Sequence, residues 1–300
     1  MYDPAYVDHW LDRFDRVFAP DHYMPVRVRG WEKLPQRPVL IVSNHSGGTL
    51  IPDVWGFAWA WMRHFSHDRR LSPMAHDMLF ATKAGARACD RLGILQAGRG
   101  VARRVLGEGG DLMVCPGGDR DTWRPWRERY RVNFAGRTGY ARLALRTGIP
   151  VTPVANAGAH ETLVVLADGH RIAERLGFQR HFRASVFPIH LSFPWLIGIG
   201  PLPHIPWPVH LDYAIGAPVP LPEGWTPCAS PDPAAVRVYD ARCRHAVQAL
   251  LDQLQADREP TAKEALAGLR RVISPRARAC WRRRPPMLGH LSALRAAIPT

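Results

Sequence analysis

The sequence has little cysteine and almost no lysine. Its five cysteines are scattered, odd in number, and form no Cys-x-x-Cys pair. This usage predicts free thiols in a reducing cytoplasm, argues against a structural zinc site, and leads us to expect no bound metal or cofactor. Lysine occurs only at Lys33, Lys83 and Lys263, so arginine supplies nearly all the basic charge.

Long apolar segments are also lacking. No window contains the roughly 18 uninterrupted apolar residues that a membrane-spanning helix needs. The first residues carry Asp3, Asp8, Asp12 and Asp15 and lack the basic and then apolar order of a secretory leader. We therefore expect a cytoplasmic protein, peripheral on the inner face of the cell membrane. The absence of a Gly-x-Ser-x-Gly elbow disfavours a serine hydrolase.

The composition is otherwise that of a globular protein with an anionic partner. Hydrophobic residues make up 46%, the net charge is +14 and the pI is about 10.4. Such a charge suits nucleic acid, an acidic membrane surface or a polyphosphate ligand such as coenzyme A, although GC-rich coding explains the arginines equally well. Nucleic acid is disfavoured because no basic and aromatic sheet face and no recognition helix are visible.

Apolar periodicity predicts an α/β fold. Residues 1–25 contain an amphipathic helix, and the following segment, 26–269, alternates short strands and helices as expected for one domain with a mixed, partly parallel sheet flanked by helices. Residues 184–208 mix apolar residues with six prolines, which predicts an irregular or strand-broken surface element that is either core or, through Trp195 and Trp207, an interfacial anchor. Residues 270–300 are basic and predicted to be loosely ordered.

Four short blocks follow one another in the predicted domain. The first is Asn44-His45-Ser46-Gly47-Gly48 with Asp53 behind it, placed directly after an apolar strand. A histidine delivered by a strand into a glycine-rich turn, with a carboxylate nearby, can remove a proton from a hydroxyl. The other blocks are Gly93 to Arg99, Val114 to Arg120 and Ile149 to Val154. Together the four resemble the glycerolipid acyltransferase superfamily, which contains the glycerol-3-phosphate and lysophosphatidate acyltransferases.

The resemblance implies a glycerol-3-phosphate acyltransferase-like layered fold. It also implies transfer of a fatty acyl group from acyl-CoA or acyl carrier protein to a hydroxyl of a glycerolipid or other lipid-like acceptor. His45 matches the general base and Asp53 the carboxylate that orients it. The residues implied in substrate binding are Arg99, Pro116, Gly117, Gly118 and Arg120. Supporting roles are implied for Asn44, Gly47, Gly48, Asp119, Asp121 and Pro150; for Asn44 the alternative is a cap on its own turn.

Two departures from the family pattern bear on the substrate. Seven residues separate His45 from Asp53, where the family has four. Gly117 stands where the family has the glutamate that helps hold a glycerol phosphate acceptor, so Pro116-Gly117-Gly118 looks like the variant of the diacylglycerol acyltransferase branch, which acts on neutral glycerides. Two alternatives stay open: an acyl thioesterase that uses His45 and water, and a non-catalytic lipid-binding protein with the same fold.

Overall fold

Short apolar runs form the strands of two sheets. The computed structural model describes residues 2–175, 177–178 and 185–258. Its strands, in chain order, are β1 Val26–Arg29, β2 Leu40–Ser43, β3 Leu71–Ala75, β4 Leu95–Gln96, β5 Asp111–Val114, β6 Val151–Ala157, β7 Val164–Ala167, β8 Ile189–Ser192, β9 Leu196–Ile199 and β10 Leu211–Ile215. Its helices are α1 Pro4–Phe18, α2 Pro52–Phe65, α3 Lys83–Leu92, α4 Arg99–Gly107, α5 Gly118–Thr122, α6 Gly139–Thr147, α7 His170–Arg175 and α8 Pro233–Asp257.

The main sheet has seven strands in the order β1-β10-β6-β2-β5-β3-β4. Every neighbouring pair in it is parallel except β10 with β6, which is antiparallel. Parallel strands require crossover connections, and the helices between them supply these. The mixed α/β sheet predicted from the sequence is thus confirmed.

Helices cover both faces of the main sheet. Along β2, Leu40 and Val42 pack with residues of α4, α6 and α8, whereas Ile41 packs on the other side with Phe57 and Trp61 of α2. Successive side chains of a strand point to opposite faces. Burial on both faces therefore explains why β2 is apolar without alternation, with all four residues buried.

The N-terminal helix α1 packs on α2. Asp3 caps it by accepting a hydrogen bond from the Tyr6 amide at 3.1 Å, and Asp15 accepts one from the Trp59 indole at 2.8 Å. The described residues all belong to one compact unit, Met1–Pro260, which includes α1. The predicted boundary at residue 269 and the predicted tail at 270–300 lie outside the described residues.

Some elements were not expected from the sequence. β3 is short and contains Ser72 and Pro73, and α3 has only small apolar residues before Leu92, so neither gives a strong apolar signal. The proline-rich segment forms an antiparallel hairpin of β8 and β9, which joins β7 in a second, three-stranded sheet. No helix of residues 2–175, 177–178 and 185–258 is long and apolar enough to cross a bilayer.

Candidate active site

Three adjacent parallel strands end at one edge of the main sheet, and the first and third sequence blocks follow two of them. β2 lies between β5 and β6 and is parallel to both. The segments that follow these strands, 44–48, 115–118 and 158–160, therefore lie side by side. In open α/β sheets ligands bind outside the carboxyl ends of the strands. This edge is the candidate site.

His45 and Asp53 are in direct contact at this edge. The His45 Nδ1 lies 2.7 Å from Asp53 Oδ2, and the same oxygen accepts a hydrogen bond from the Ser46 amide at 2.9 Å. Asp53 is buried in the first turn of α2, where the helix dipole favours a carboxylate. Tyr213 of β10 donates a hydrogen bond to the Asp53 carbonyl at 2.7 Å. With Nδ1 held by Asp53, Nε2 of His45 is the nitrogen left to accept a proton.

Left-handed backbone absorbs the lengthened spacing between these two residues. Gly47 has φ 94° and Gly48 has φ 67°, and a Cβ on Gly47 would lie 2.4 Å from Cδ of Pro52. The chain makes one short 3-10 turn, and Ile51, at φ 42°, returns it to the start of α2. The extra residues thus loop outward, and Asp53 still reaches His45.

The surroundings of His45 favour its protonated form overall. Burial alone would lower the pKa of its imidazole, but the charge and hydrogen bond of Asp53, helped by Asp121, outweigh that effect and raise the pKa above its ordinary value of 6.5. The arrangement suits a base that must take up a proton during a reaction.

A buried ion pair holds the backbone of the His45 turn. Asp121 accepts a hydrogen bond from the His45 amide, and Arg124 donates to the His45 carbonyl at 2.8 Å and to Ser46 Oγ at 3.0 Å. Arg124 is also paired with Asp121, and both side chains are almost completely buried. Burial raises the pKa of Asp121 against the opposing charge of Arg124. Asp121 therefore supports the His45 turn from inside the protein.

A cavity of about 940 Å³ borders His45. Most of its wall is apolar and comes from α1, α2 and the segment around β3. Its large apolar side chains include Trp10, Leu11, Phe14, Trp55, Trp59, Met62, Met74 and Leu79. A cavity of this size and character accommodates an extended aliphatic chain.

Residues 25–157 match the protein-family model described as Acyltransferase. The chain therefore resembles that family across residues 25–157. It is 29% identical to an uncharacterized protein of Mycobacterium tuberculosis over 234 residues, which cover 78% of this chain and 62% of that protein. The chain thus spans about three fifths of the length of this relative.

Animal proteins and one solved structure are also similar to this chain. A Bos taurus protein named DGAT1/2-independent enzyme synthesizing storage lipids is 26% identical over 230 residues, which cover 76% of this chain and 59% of that protein. The crystal structure of the 1-acyl-sn-glycerophosphate acyltransferase PlsC from Thermotoga maritima covers 86% of this chain and 80% of its own, with a TM-score of 0.47 and 17% identity.

The third sequence block has no room for a glutamate side chain at position 117. A Cβ on Gly117 would lie 2.2 Å from the Asn133 carbonyl oxygen and 2.3 Å from Cβ of Asp121. The adjacent Gly118 has φ 52°, and its Cβ would lie 2.2 Å from Arg137. Gly117 is thus required by the close approach of the Asn133 backbone, and Gly118 is favoured by its left-handed backbone conformation.

The charged residues of this block make contacts among themselves and with Ser185. Arg137 donates to the Gly117 carbonyl at 2.8 Å and to Asp119 at 3.0 Å. Arg120 donates to Ser185 Oγ at 3.2 Å and contacts His170, and it does not belong to the cavity wall formed by the described residues. The arginine that reaches the cavity beside Pro116 and Gly118 is therefore Arg137.

Two supporting residues have different positions from those expected. Asn44 exchanges two hydrogen bonds with the backbone of Asn156 in β6, at 2.9 and 2.8 Å, and so joins two strands where a cap on its own turn was the alternative. Pro150 precedes β6, whose Val151 is level with Leu40 in β2. Because a strand rises about 3.3 Å per residue, Pro150 lies on the order of 20 Å from His45 along the direction of the strands. Its expected support of the site is wrong, because the site is at the other end of β6.

Arg99 lies in the cavity wall, as expected of a substrate-binding residue. Two other arginines of the site, Arg124 and Arg137, were not predicted from the sequence. Arg99 is exposed at the start of α4. Arg124 and Arg137 were missed because they act on backbone carbonyls far away in sequence, and an arginine-rich chain offers no signal that distinguishes them. The only local hint of the role of Arg124 was its position three residues after Asp121, since side chains at this spacing can form an ion pair within one helical turn.

Proposed function

We propose that the protein transfers a fatty acyl group from a thioester donor to a hydroxyl of a lipid-like acceptor. The observation that carries the proposal is the contact of His45 Nδ1 with Asp53, at 2.7 Å, in the wall of a large apolar cavity. The acyltransferase family of the domain agrees with this chemistry.

In the proposed reaction His45 acts as the general base. Nε2 takes the proton of the acceptor hydroxyl while the hydroxyl oxygen forms a bond to the thioester carbonyl carbon. The C–S bond then breaks, and the leaving thiolate takes the proton from the imidazolium, which Asp53 stabilises meanwhile. Cys115 is a poor candidate for a covalent nucleophile: burial, and then the charges of Asp53 and Asp121, raise the pKa of its thiol well above the ordinary value.

A neutral glyceride is the acceptor class that we favour. Position 117 has no room for a side chain, so the carboxylate that would help hold a glycerol phosphate is absent there. Relatives in cattle and chicken carry names that refer to storage lipids, which are neutral. The donor, either acyl-CoA or acyl carrier protein, is a co-substrate in this proposal.

Release of free thiol tests the reaction type. With acyl-CoA alone the protein should release little thiol, and addition of a diglyceride should increase the release because a transferase needs the acceptor hydroxyl. Mass spectrometry should detect the acylated acceptor in equal amount. Thiol release at full rate without any acceptor would indicate the alternative, a thioesterase, and no turnover with any donor would indicate a binding protein.

We further propose that an apolar hairpin docks on a membrane surface. The apolar hairpin is residues 189–207, and several large apolar side chains on it are exposed: Phe193, Trp195, Leu196, Ile197, Ile199, Leu202, Ile205 and Trp207. Thr49 of the His45 turn donates to the Pro201 carbonyl at 2.9 Å, and Pro201 belongs to the cavity wall. A lipid acceptor could pass from the bilayer to the cavity along this continuous apolar surface.

Replacement of Ile199 by aspartate should weaken vesicle binding about tenfold. Burial of an isoleucine side chain contributes roughly 1.5–3 kcal/mol to binding. A loss of about 1.4 kcal/mol already weakens the affinity tenfold. Flotation with vesicles of phosphatidylcholine and phosphatidylglycerol measures the effect. Val238→Asp is the control, because Val238 is also β-branched and 61% exposed but lies on α8. Equal flotation of Ile199→Asp and wild type would contradict the proposal.

A further inference from the structure

Two neighbouring helices present four arginines to the cavity. Arg99 and Arg103 lie one turn apart on α4, and Arg142 and Arg146 lie one turn apart on α6. All four belong to the cavity wall. We call them the arginine quartet. Residues four apart share one face of a helix, so each pair points in one direction.

The packing of α4 and α6 accounts for this arrangement. Ala102 and Leu106 of α4 pack into the core with Ala141, Ala144 and Leu145 of α6. The two helices thus contact each other through small and apolar residues, and the arginines lie beside this contact. Both pairs consequently meet the same cavity and form one concentrated positive region.

The arginine quartet is not neutralised by ion pairs with carboxylates of the described residues. In the part of the chain that the structure describes, none of the four guanidinium groups forms an ion pair or hydrogen bond with a carboxylate, whereas Arg137, in the same wall, is paired with Asp119. Like charges gathered without counter-ions repel one another. A concave site with four such groups is suited to a ligand with several negative charges, and guanidinium is the group that best binds phosphate.

We propose that the arginine quartet binds the phosphates of coenzyme A when it serves as acyl donor. This inference rests on the proposed function, and it names the donor. Coenzyme A carries a 3′-phosphate, which as a phosphomonoester has a charge of roughly −1.5 to −2 near pH 7, and a pyrophosphate that adds further negative charge. The quartet matches this charge, and the cavity runs from it to His45, where the thioester must react. A cavity wall favours a small ligand that can enter the cavity over a folded carrier protein, which cannot enter it.

Titration calorimetry with coenzyme A and the full-length protein tests the assignment without any acyl transfer. Arg103→Gln and Arg146→Gln should each weaken binding about tenfold, since a hydrogen bond to a charged group contributes enough for that factor. The double variant should bind coenzyme A on the order of a hundredfold more weakly than wild type. Dephospho-coenzyme A, which lacks the 3′-phosphate, should bind wild type more weakly than coenzyme A does. The arginine substitutions should also weaken its binding by a smaller factor. Thermal unfolding verifies that these exposed or half-buried substitutions leave the fold intact.

Arg104→Gln is the matched control. Arg104 lies on α4 next to Arg103 and is exposed, but it does not belong to the cavity wall. Its replacement should change binding less than twofold. Equal losses in Arg104→Gln and Arg103→Gln, or unchanged binding in the double variant, would overturn the proposal.

Two further outcomes separate this inference from the proposed function. Titration with glycerol 3-phosphate shows whether the quartet instead recognises a phosphorylated acceptor. If the quartet variants bind glycerol 3-phosphate more weakly than wild type but bind coenzyme A unchanged, the inference is overturned. Transfer from acyl carrier protein by a protein that does not bind coenzyme A likewise overturns it and leaves the proposed function standing. Quartet-dependent binding of coenzyme A without transfer to any hydroxyl supports the inference and contradicts the proposed function.

Discussion

Replacement of His45 by alanine should lower kcat about 10²- to 10⁴-fold, the range that a positioned general base contributes. The imidazole is the group at the cavity wall that Asp53 holds ready to take a proton. KM should change little, because the apolar wall that binds the acyl chain is left intact. Thiol release in the presence of a diglyceride acceptor measures the effect.

The control for this variant is His245→Ala. His245 is exposed on α8, away from the cavity wall that includes His45, so its loss should leave kcat unchanged. Retention of full transfer activity by His45→Ala would show that another group removes the proton. A large increase in KM at unchanged kcat would assign His45 to substrate binding instead.

The pH profile is a second readout of the same dyad. Because Asp53 raises the pKa of His45 above 6.5, the imidazole is neutral and active only above that raised value. Activity of wild type should therefore rise with pH, with its inflection above 6.5. Asp53→Asn removes the stabilising charge and leaves burial to lower the pKa, so the inflection should move to lower pH while kcat falls. An unchanged inflection would contradict this role of Asp53.

The sequence predicted the contact of His45 with Asp53 better than it predicted the residues that hold them. His45 was predicted from a strand followed by a glycine-rich turn, both of which are local signals. Asp53 was predicted despite an unusual spacing, and the structure accounts for that spacing through left-handed residues at Gly47, Gly48 and Ile51. Arg124 was missed because its contact with the His45 carbonyl spans 79 residues and involves a backbone atom, which no sequence pattern encodes.

The fold could be predicted where burial decided local structure. β2 is buried along its whole length and begins as an apolar run, whereas β3 contains Ser72 and Pro73 and α3 has only small apolar residues before Leu92. The order of strands in the sheet was not predictable, because it depends on packing of helices on both faces. For the same reason we did not expect the arginine quartet. Each of its two pairs lies on one helix, but the two pairs come together only because α4 packs against α6.

Replacement of Arg124 by alanine should lower the free energy of unfolding by about 3–5 kcal/mol, the typical cost of breaking a buried ion pair from one side. Asp121 would be left completely buried without its counter-ion, and five acceptor groups would lose a donor: the carbonyls of His45, Asp121, Glu128 and Arg129 and the hydroxyl of Ser46. Urea denaturation followed by circular dichroism measures the loss. Transfer activity should fall as well, because the turn that carries His45 loses its support.

Arg127→Ala is the matched control for this prediction. Arg127 lies three residues away, and its side chain is 84% exposed, so its loss should change the free energy of unfolding by less than about 0.5 kcal/mol. The double variant Asp121→Asn, Arg124→Ala should lose less than the sum of the single losses, since it leaves no uncompensated buried carboxylate. Additive losses would show that the two side chains act independently, and an Arg124→Ala protein as stable as wild type would mean that the pair does not support the His45 turn.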